Sequence, residues 1–236
     1  MLKRNSFLAL KILIALFVIA GLILNFVYAK EDGYSSASAR LLYFTNQSNI
    51  WIGAMALLFV SIEIFERRKG KSVSWRWLYP MKLAFVVSIT LTGVVFCALL
   101  APHAGEDYRA WTVGSVFVHA VVPALSIIDF LFDTSSFRYE KKHNFFSLIP
   151  PFYYFVFCLV LYLCNVDFGR GDPFPYFFLN FGSPAGIFGF SDVFPYKMGS
   201  FYWVVLLSLF VFSVSLLYSF LYNKIRSLSL KKQIEE

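Results

Sequence analysis

Six long apolar runs, separated by short segments that carry most of the charge, constrain this chain more than any other feature. A membrane helix needs about 20 predominantly apolar residues to cross the hydrocarbon core. The runs that meet this length are Phe7–Ala29, Phe44–Ile64, Pro80–Ala101, Thr112–Phe132, Phe145–Cys164 and Phe201–Leu221. They are continuously apolar rather than alternating, which favours helices over a membrane barrel. The sequence therefore predicts an all-α polytopic membrane protein, a bundle of six transmembrane helices.

Composition points the same way. Charged residues make up only 15% of the chain, against about 25% in a soluble domain. The net charge of +7 could suggest a nucleic-acid partner. However, the basic residues are confined to short segments between apolar runs, so no nucleic acid is expected. At this length we predict one transmembrane domain, residues 1–236.

Basic residues are divided unequally between the two sides of the predicted bundle. One side holds 14 of the 21, namely Lys3, Arg4, Arg67, Arg68, Lys69, Lys71, Arg76, Arg138, Lys141, Lys142, Lys224, Arg226, Lys231 and Lys232. The other side holds Lys30, Arg40, Arg109, Arg170 and Lys197. The positive-inside rule then places both termini in the cytoplasm. The remaining two, Lys11 and Lys82, are expected to snorkel to the cytoplasmic interface.

The first apolar run could also be a signal peptide, because Val27-Tyr28-Ala29 resembles a cleavage site. A signal peptide's apolar region usually has 7–15 residues, and this one approaches 20, so a retained helix is favoured. The three cysteines, Cys97, Cys158 and Cys164, form no close pairs and have no metal-ligand spacing. We predict that they pack, and that the chain holds no metal or cofactor.

Ionisable residues inside a membrane segment are functional candidates. Glu63 has Arg67 at helical spacing, which predicts an ion pair. Asp129 is expected to pair with a basic loop or hold a neighbouring helix, and Ser126 is a second polar candidate on that helix. His119 lies about 10 Å into the fourth helix from its outer end. It is either an interhelical hydrogen-bonding residue or part of a ligand or catalytic site.

Five consecutive hydrogen-bonding side chains, Thr45 to Asn49, open the second helix. They could cap the helix, but one cap needs one residue. If the second and fourth helices are neighbours, Thr45 and His119 can meet in the outer half of the membrane. A threonine hydroxyl needs such a base to become a nucleophile. Asn46 or Asn49, with the free N–H groups of the helix start, could then hold an oxyanion.

The outer loop between the fifth and sixth helices, residues 165–200, is unusually aromatic for a solvated segment. It contains Pro173–Leu179 and, further on, Phe188, Phe190 and Phe194. Such a loop must pack on helix ends, lipid headgroups or a ligand. Two interpretations remain open, an interfacial aromatic belt and a lid over an outward-facing cavity.

Three motifs carry a resemblance to a known family: Tyr43–Asn49, Val118–Pro123 followed by Asp129, and Pro173–Leu179. They resemble bacterial six-pass membrane proteins, which are similar to the androgen-induced and androgen-dependent tissue-factor-pathway-inhibitor-regulating proteins of animals. Those animal proteins are threonine hydrolases that cleave fatty acid esters of hydroxy fatty acids. The resemblance implies that Thr45 is the nucleophile and His119 the base. It also implies a bacterial inner membrane as the location.

Two functions follow as hypotheses. The first is an intramembrane hydrolase of lipid esters, whose fatty-acyl substrate enters from the surrounding membrane lipids. The second is a protein that binds or transports a lipid or small hydrophobic ligand in the same pocket without chemistry. A serine hydrolase is not expected, because the chain has no Gly-x-Ser-x-Gly motif. The oligomeric state is not predicted by any of these features.

Overall fold

In the computed structural model, the described residues form six helices that are long and apolar enough to span a membrane. The structure describes residues 2–70, 75–103, 110–133, 135 and 137–235, so Lys71 and Arg109 of the charge pattern lie outside it. The helices are α1 (Leu2–Val27), α2 (Phe44–Lys69), α3 (Leu78–Leu100), α4 (Val113–Leu131), α5 (Lys141–Leu163) and α6 (Ser200–Glu235). Within the described ranges there is no β-strand, only one isolated bridge between Phe190 and Met198. The predicted all-α fold with six membrane helices is confirmed.

Several helices continue past the apolar runs that located them. Helix α2 ends at Lys69 rather than near Ile64, and α6 extends well beyond Leu221. Hydropathy finds only the part of a helix that lies in lipid, whereas Lys, Arg and Glu are also good helix formers. Gly70 ends α2, because its positive φ of 63° lets its N–H bond back to the Glu66 carbonyl.

Helix α3 forms the centre of the bundle. More than half of its apolar window, 56%, is buried, against 22% for α5 and for α6. It packs on α2, α4, α5 and α6, and Leu83, Val86, Val87 and Ile89 are fully buried in these contacts. Helix α1 packs on α2 and α4. The outward faces of the surrounding helices carry exposed residues such as Leu16, Phe152 and Leu209, which suits contact with lipid.

Buried charges join three helices near one end of the bundle. Asp129 of α4 accepts from Lys11 of α1 at 2.6 Å and from Lys82 of α3 at 2.7 Å. Lys82 also contacts Asp133 at 2.6 Å. The prediction that both lysines snorkel is wrong: Lys11 is 8% exposed and Lys82 only 3%. Because buried carboxylates need opposite charges close by, the lysines turn inward, as expected for an Asp129 that holds neighbouring helices.

Two smaller predictions have clear outcomes. The Glu63–Arg67 ion pair is confirmed at 2.8 Å, and Arg67 also donates to Asn5 of α1. This contact places the start of α1 beside the end of α2, as expected for antiparallel neighbours. Of the three free cysteines only Cys158 is buried, so the packing role is wrong for Cys97 and Cys164.

Candidate functional site

Thr45 and His119 are in contact at the opposite end of the bundle. The Thr45 Oγ1 lies 3.3 Å from the His119 Nε2. Thr45 is not a helix cap, because α2 already begins at Phe44 and its N-cap, Tyr43, makes no side-chain capping bond. The structure therefore brings together the two residues that the sequence singled out, and the capping interpretation is wrong for Thr45.

The direction of the His119 side chain explains how a residue at the start of α2 meets one two turns into α4. Side chains on a helix tilt toward its N-terminus. On α4 this tilt carries the imidazole back to Ser115, one turn earlier. The ring consequently reaches the level of Thr45.

Contacts around the imidazole determine which nitrogen faces Thr45 with a lone pair. The His119 Nδ1 lies 2.9 Å from the Ser115 carbonyl oxygen, which can only accept a hydrogen bond. In neutral His119, Nδ1 therefore carries the proton and Nε2 accepts from the Thr45 hydroxyl. The ring is also stacked on Phe96 of α3, with centroids 3.7 Å apart and planes 13° from parallel. The Ser115 Oγ also lies 3.1 Å from Nδ1, and this hydroxyl can accept as well as donate. The Ser115 carbonyl thus favours the Nδ1–H tautomer, and the contacts with Ser115 and Phe96 fix the orientation of the ring.

Two π-helical turns, one on α3 and one on α4, shape this contact. They comprise Phe96–Leu100 and Phe117–Val121, and each carries one of the two stacked rings. Pro123 follows on α4, and its missing N–H leaves the His119 carbonyl without its usual helical donor. Gly93 lets α3 approach here, since a Cβ at this position would lie 2.8 Å from the His119 carbonyl oxygen. Such turns are frequent at functional sites.

The polar side chains that follow Thr45 mainly hold its surroundings. Asn46 donates to the Arg40 carbonyl at 2.6 Å, and Ser48 pairs with Thr92 of α3 at 2.8 Å. Asn49 donates to the carbonyls of Thr45 and Val118, so it joins α2 to α4. Asn46 lines a cavity beside Thr45, whereas Asn49 lies behind the Thr45–His119 pair.

An apolar cavity of about 250 Å³ opens on one side of Thr45. It runs between α2, α3, α5 and α6 toward the middle of the bundle. Its walls include Leu91, Val95, Phe152, Phe155, Phe178 and Leu207. Because Phe152 is also 67% exposed, this wall is part of the surface of the bundle. The cavity suits an alkyl chain that arrives from the membrane.

A polar cavity of about 460 Å³ opens on the other side of Thr45 and includes His119. Charged residues line it, namely Asp32, Arg40, Arg170 and Asp172. Arg40 forms an ion pair with Asp32 and lies over the Tyr34 ring, with its guanidinium carbon 4.1 Å from the ring centroid. Three residues, Thr45, Leu100 and Tyr176, line both cavities. Thr45 therefore lies where the apolar and polar spaces meet.

Tyr176 of the outer loop is a third functional candidate at this junction. Its hydroxyl lies near the side chain and the backbone of Thr45. Burial raises the pKa of Tyr176 well above its usual value, although the polar groups of Thr45 oppose that rise. The hydroxyl is therefore protonated at physiological pH and available as a donor. Tyr176 falls in the Pro173–Leu179 motif, which predicted a covering loop but no individual role.

The outer loop combines the two interpretations left open by its composition. Phe174 to Phe177 and Pro195 line the polar cavity, while Phe178 and Leu179 are buried against the helices. This part covers the Thr45–His119 pair. Phe188 and Phe190 are 65% and 73% exposed and pack on Phe201 and Tyr202 at the start of α6. That second part has the position of an interfacial aromatic belt.

Asp129 and Ser126 lie away from this site. Ten residues separate Asp129 from His119 on α4, about 15 Å along a helix axis. Both line a cavity of about 10 Å³ together with Lys82, roughly room for one water. The Ser126 hydroxyl is buried and has no partner among the described residues. The two residues therefore belong to the buried charge cluster and not to the Thr45–His119 pair.

No metal site is formed by the part of the chain that the structure describes, since no three His, Cys, Asp or Glu side chains group there. Sequence reasoning also missed Ser115 and Arg40. The four-residue spacing of Ser115 and His119 on one helix was the available signal. For Arg40 no local signal exists, because its place depends on how the loops meet.

Comparisons with known proteins give one distant relative. The chain is 24% identical over 190 residues to protein rolling stone of Drosophila melanogaster. The match covers 78% of this chain and 66% of that protein, so the chain spans just under two thirds of its relative. No family model matches the chain, and no solved structure matches it.

Proposed function

We propose that the chain is an intramembrane hydrolase of fatty acid esters, with Thr45 as nucleophile and His119 as general base. The observation that carries the proposal is the hydroxyl–imidazole contact of 3.3 Å, placed where an apolar and a polar cavity meet. An ester of an acyl chain with a polar alcohol likewise has one apolar half and one polar half, which meet at the carbonyl group. Its carbonyl would lie at Thr45 when each half occupies the matching cavity.

The reaction follows the logic of other activated hydroxyl nucleophiles. The His119 Nε2 removes the Thr45 proton as Oγ1 attacks the ester carbonyl carbon. The tetrahedral intermediate collapses, the bond to the alcohol oxygen breaks, and His119 returns its proton to the departing alcohol. Water, deprotonated by His119, then attacks the acyl–threonine. The Thr45 hydroxyl leaves with that proton, and the fatty acid is released.

The negative charge on the carbonyl oxygen needs donors. Tyr176 supplies a protonated hydroxyl at Thr45, and the first turn of α2 has N–H groups without helical partners. Ser115 supports the base, because its carbonyl oxygen keeps the Nδ1 proton in place and stabilises the imidazolium. Of the two residues expected to hold the oxyanion, Asn46 donates to the Arg40 carbonyl and Asn49 to the carbonyls of Thr45 and Val118.

The location belongs to the proposal as well. The charge pattern favours cytoplasmic termini, and we propose on that basis that Thr45 and His119 lie in the outer half of the membrane. A bacterial inner membrane is the setting implied by the resemblance to bacterial six-pass proteins. The same resemblance makes fatty acid esters of hydroxy fatty acids the first substrates to test.

Turnover of a fluorescent fatty acid ester by purified protein tests the proposal. We expect Thr45→Ala and His119→Ala each to lower kcat at least 100-fold, because neither half of the pair works alone. Thr90→Ala and His143→Ala are matched controls. Thr90 bonds to Tyr218 and His143 accepts from the Glu140 N–H, both away from the cavities. Equal turnover in all variants would contradict the proposal.

Lipid binding without chemistry is the second candidate. The apolar cavity favours it, because that space alone suits an acyl chain whether or not Thr45 reacts. It requires that lipid co-purify with the protein and that Thr45→Ala retain it. If the wild-type protein retains the lipid but does not hydrolyse it, the result would support lipid binding without chemistry.

A further inference from the structure

The polar cavity suggests which alcohol the ester contains. On the proposed function, the acyl chain lies in the apolar cavity and the alcohol in the polar one. The polar cavity is the larger of the two, about 460 against 250 Å³, and four charged side chains line it. A long alkyl chain placed there would remove those charges from water and give no hydrogen bonds in return. The alcohol must therefore be compact and polar.

Arg40 indicates the charge of that alcohol. Its side chain lines the polar cavity although the residue is only 8% exposed. The ion pair with Asp32 uses one of its two terminal nitrogens, and a guanidinium has five N–H donors in all. The guanidinium thus carries more donors than this one ion pair uses. The remaining terminal N–H groups suit a ligand with several acceptor oxygens.

A second guanidinium lies close by. Arg170 donates to the Asp32 backbone carbonyl at 2.7 Å, and its guanidinium carbon lies 4.3 Å from the Tyr34 ring centroid. Arg40 packs on the same ring. Both guanidinium groups therefore lie against the Tyr34 ring, and both line the polar cavity. Paired, planar guanidinium groups are the usual protein ligands of phosphate oxygens.

We propose that the substrate is a single-chain lysophospholipid, in which one acyl chain is esterified to an alcohol that bears a phosphate. The acyl chain occupies the apolar cavity, the ester carbonyl lies at Thr45, and Arg40 and Arg170 bind the phosphate. An ester of two long chains fits this arrangement poorly, because its second chain would lie against the charged wall. The inference rests on the proposed hydrolase, but its ligand contacts can be tested separately.

The first experiment compares three dodecanoyl esters as substrates of the purified protein. They are a lysophosphatidic acid, the matching neutral monoacylglycerol and an ester with a long-chain hydroxy fatty acid. We expect kcat/KM for the phosphate ester to exceed that for each of the others at least 10-fold. Similar kcat/KM values for the phosphate and neutral esters, or faster cleavage of the two-chain ester, would overturn the inference. Either result would still be consistent with the proposed hydrolase.

Variants then test the arginine contact. Arg40→Gln should reduce the ratio of phosphate-ester to neutral-ester kcat/KM to within about threefold. Lys197→Gln is the matched control, since it removes the same charge from an exposed outer residue that lines neither cavity. A ratio that survives in Arg40→Gln would contradict the assignment.

Binding separates this inference from the hydrolase proposal. Thr45→Ala protein should bind lysophosphatidic acid at least 10-fold more tightly than the monoacylglycerol, measured by calorimetry in detergent. Adding Arg40→Gln should remove that difference. If this preference is found but wild-type protein cleaves none of the esters, the ligand assignment holds and the hydrolase fails. Equal affinities for the two lipids would overturn the ligand assignment.

Discussion

Individual residues at the site depend on one another through short-range contacts. Ser115 orients His119 and His119 bonds to Thr45, while Tyr176 lies beside Thr45. The sequence could predict Thr45 and His119, because each is a polar residue that a membrane segment does not need. It could not predict Tyr176 or Arg40, because both come from loops whose positions no periodicity determines. Helical spacing reports neighbours on one helix and nothing about loops.

Tyr176→Phe removes a single hydroxyl from the site and keeps the aromatic ring. Losing a single oxyanion donor usually lowers kcat by about 10²–10³-fold, so we expect a fall of that size with little change in KM. The measurement is steady-state hydrolysis of the fluorescent ester. Tyr202→Phe is the control, because its hydroxyl donates to the Phe188 carbonyl on the exposed part of the loop. Equal losses in both variants would show that Tyr176 acts only through packing.

At the level of elements, α3 and α4 position the base together. Their lengths could be predicted from the apolar runs. The two π-helical turns could not be predicted, because they arise where Phe96 stacks on His119 and Gly93 meets the His119 carbonyl. The turns depend on the contact between α3 and α4, which the sequence of one helix alone does not reveal. The inward direction of Lys82 also depends on a neighbouring helix, because its partner Asp129 belongs to α4. The sequence of α3 alone therefore did not predict it.

Gly93→Ala tests this helix contact. The added methyl would lie 2.8 Å from the His119 carbonyl oxygen, a backbone atom that cannot move without shifting α4. A displacement near 1 Å at a catalytic group can cost about 100-fold in rate, so we expect a 10- to 100-fold loss of kcat. Gly53→Ala is the control, because its methyl meets only the Val18 side chain. A Gly93→Ala protein with wild-type kcat would refute the contact's role.

Across the whole molecule, two buried polar groups join α4 to its neighbours at different depths of the bundle. The charge cluster of Asp129 ties α1, α3 and α4 together at one level. The Thr45–His119 pair joins α2 to α4 at the other. Helix α4 is therefore held to its neighbours at two points, which lie about three helical turns apart.

The orientation of the bundle decides from which side the site is reached. The positive-inside rule predicts that Asp192 of the outer loop lies outside and Ser227 of α6 inside, and both residues are exposed. With Cys97 and Cys164 replaced by serine, Asp192→Cys should react with a membrane-impermeant maleimide on intact cells. Ser227→Cys should react only after permeabilisation, while Cys158 stays protected by burial. The reverse pattern would place Thr45 and His119 toward the cytoplasm, so that the headgroups they meet would be those of the inner leaflet.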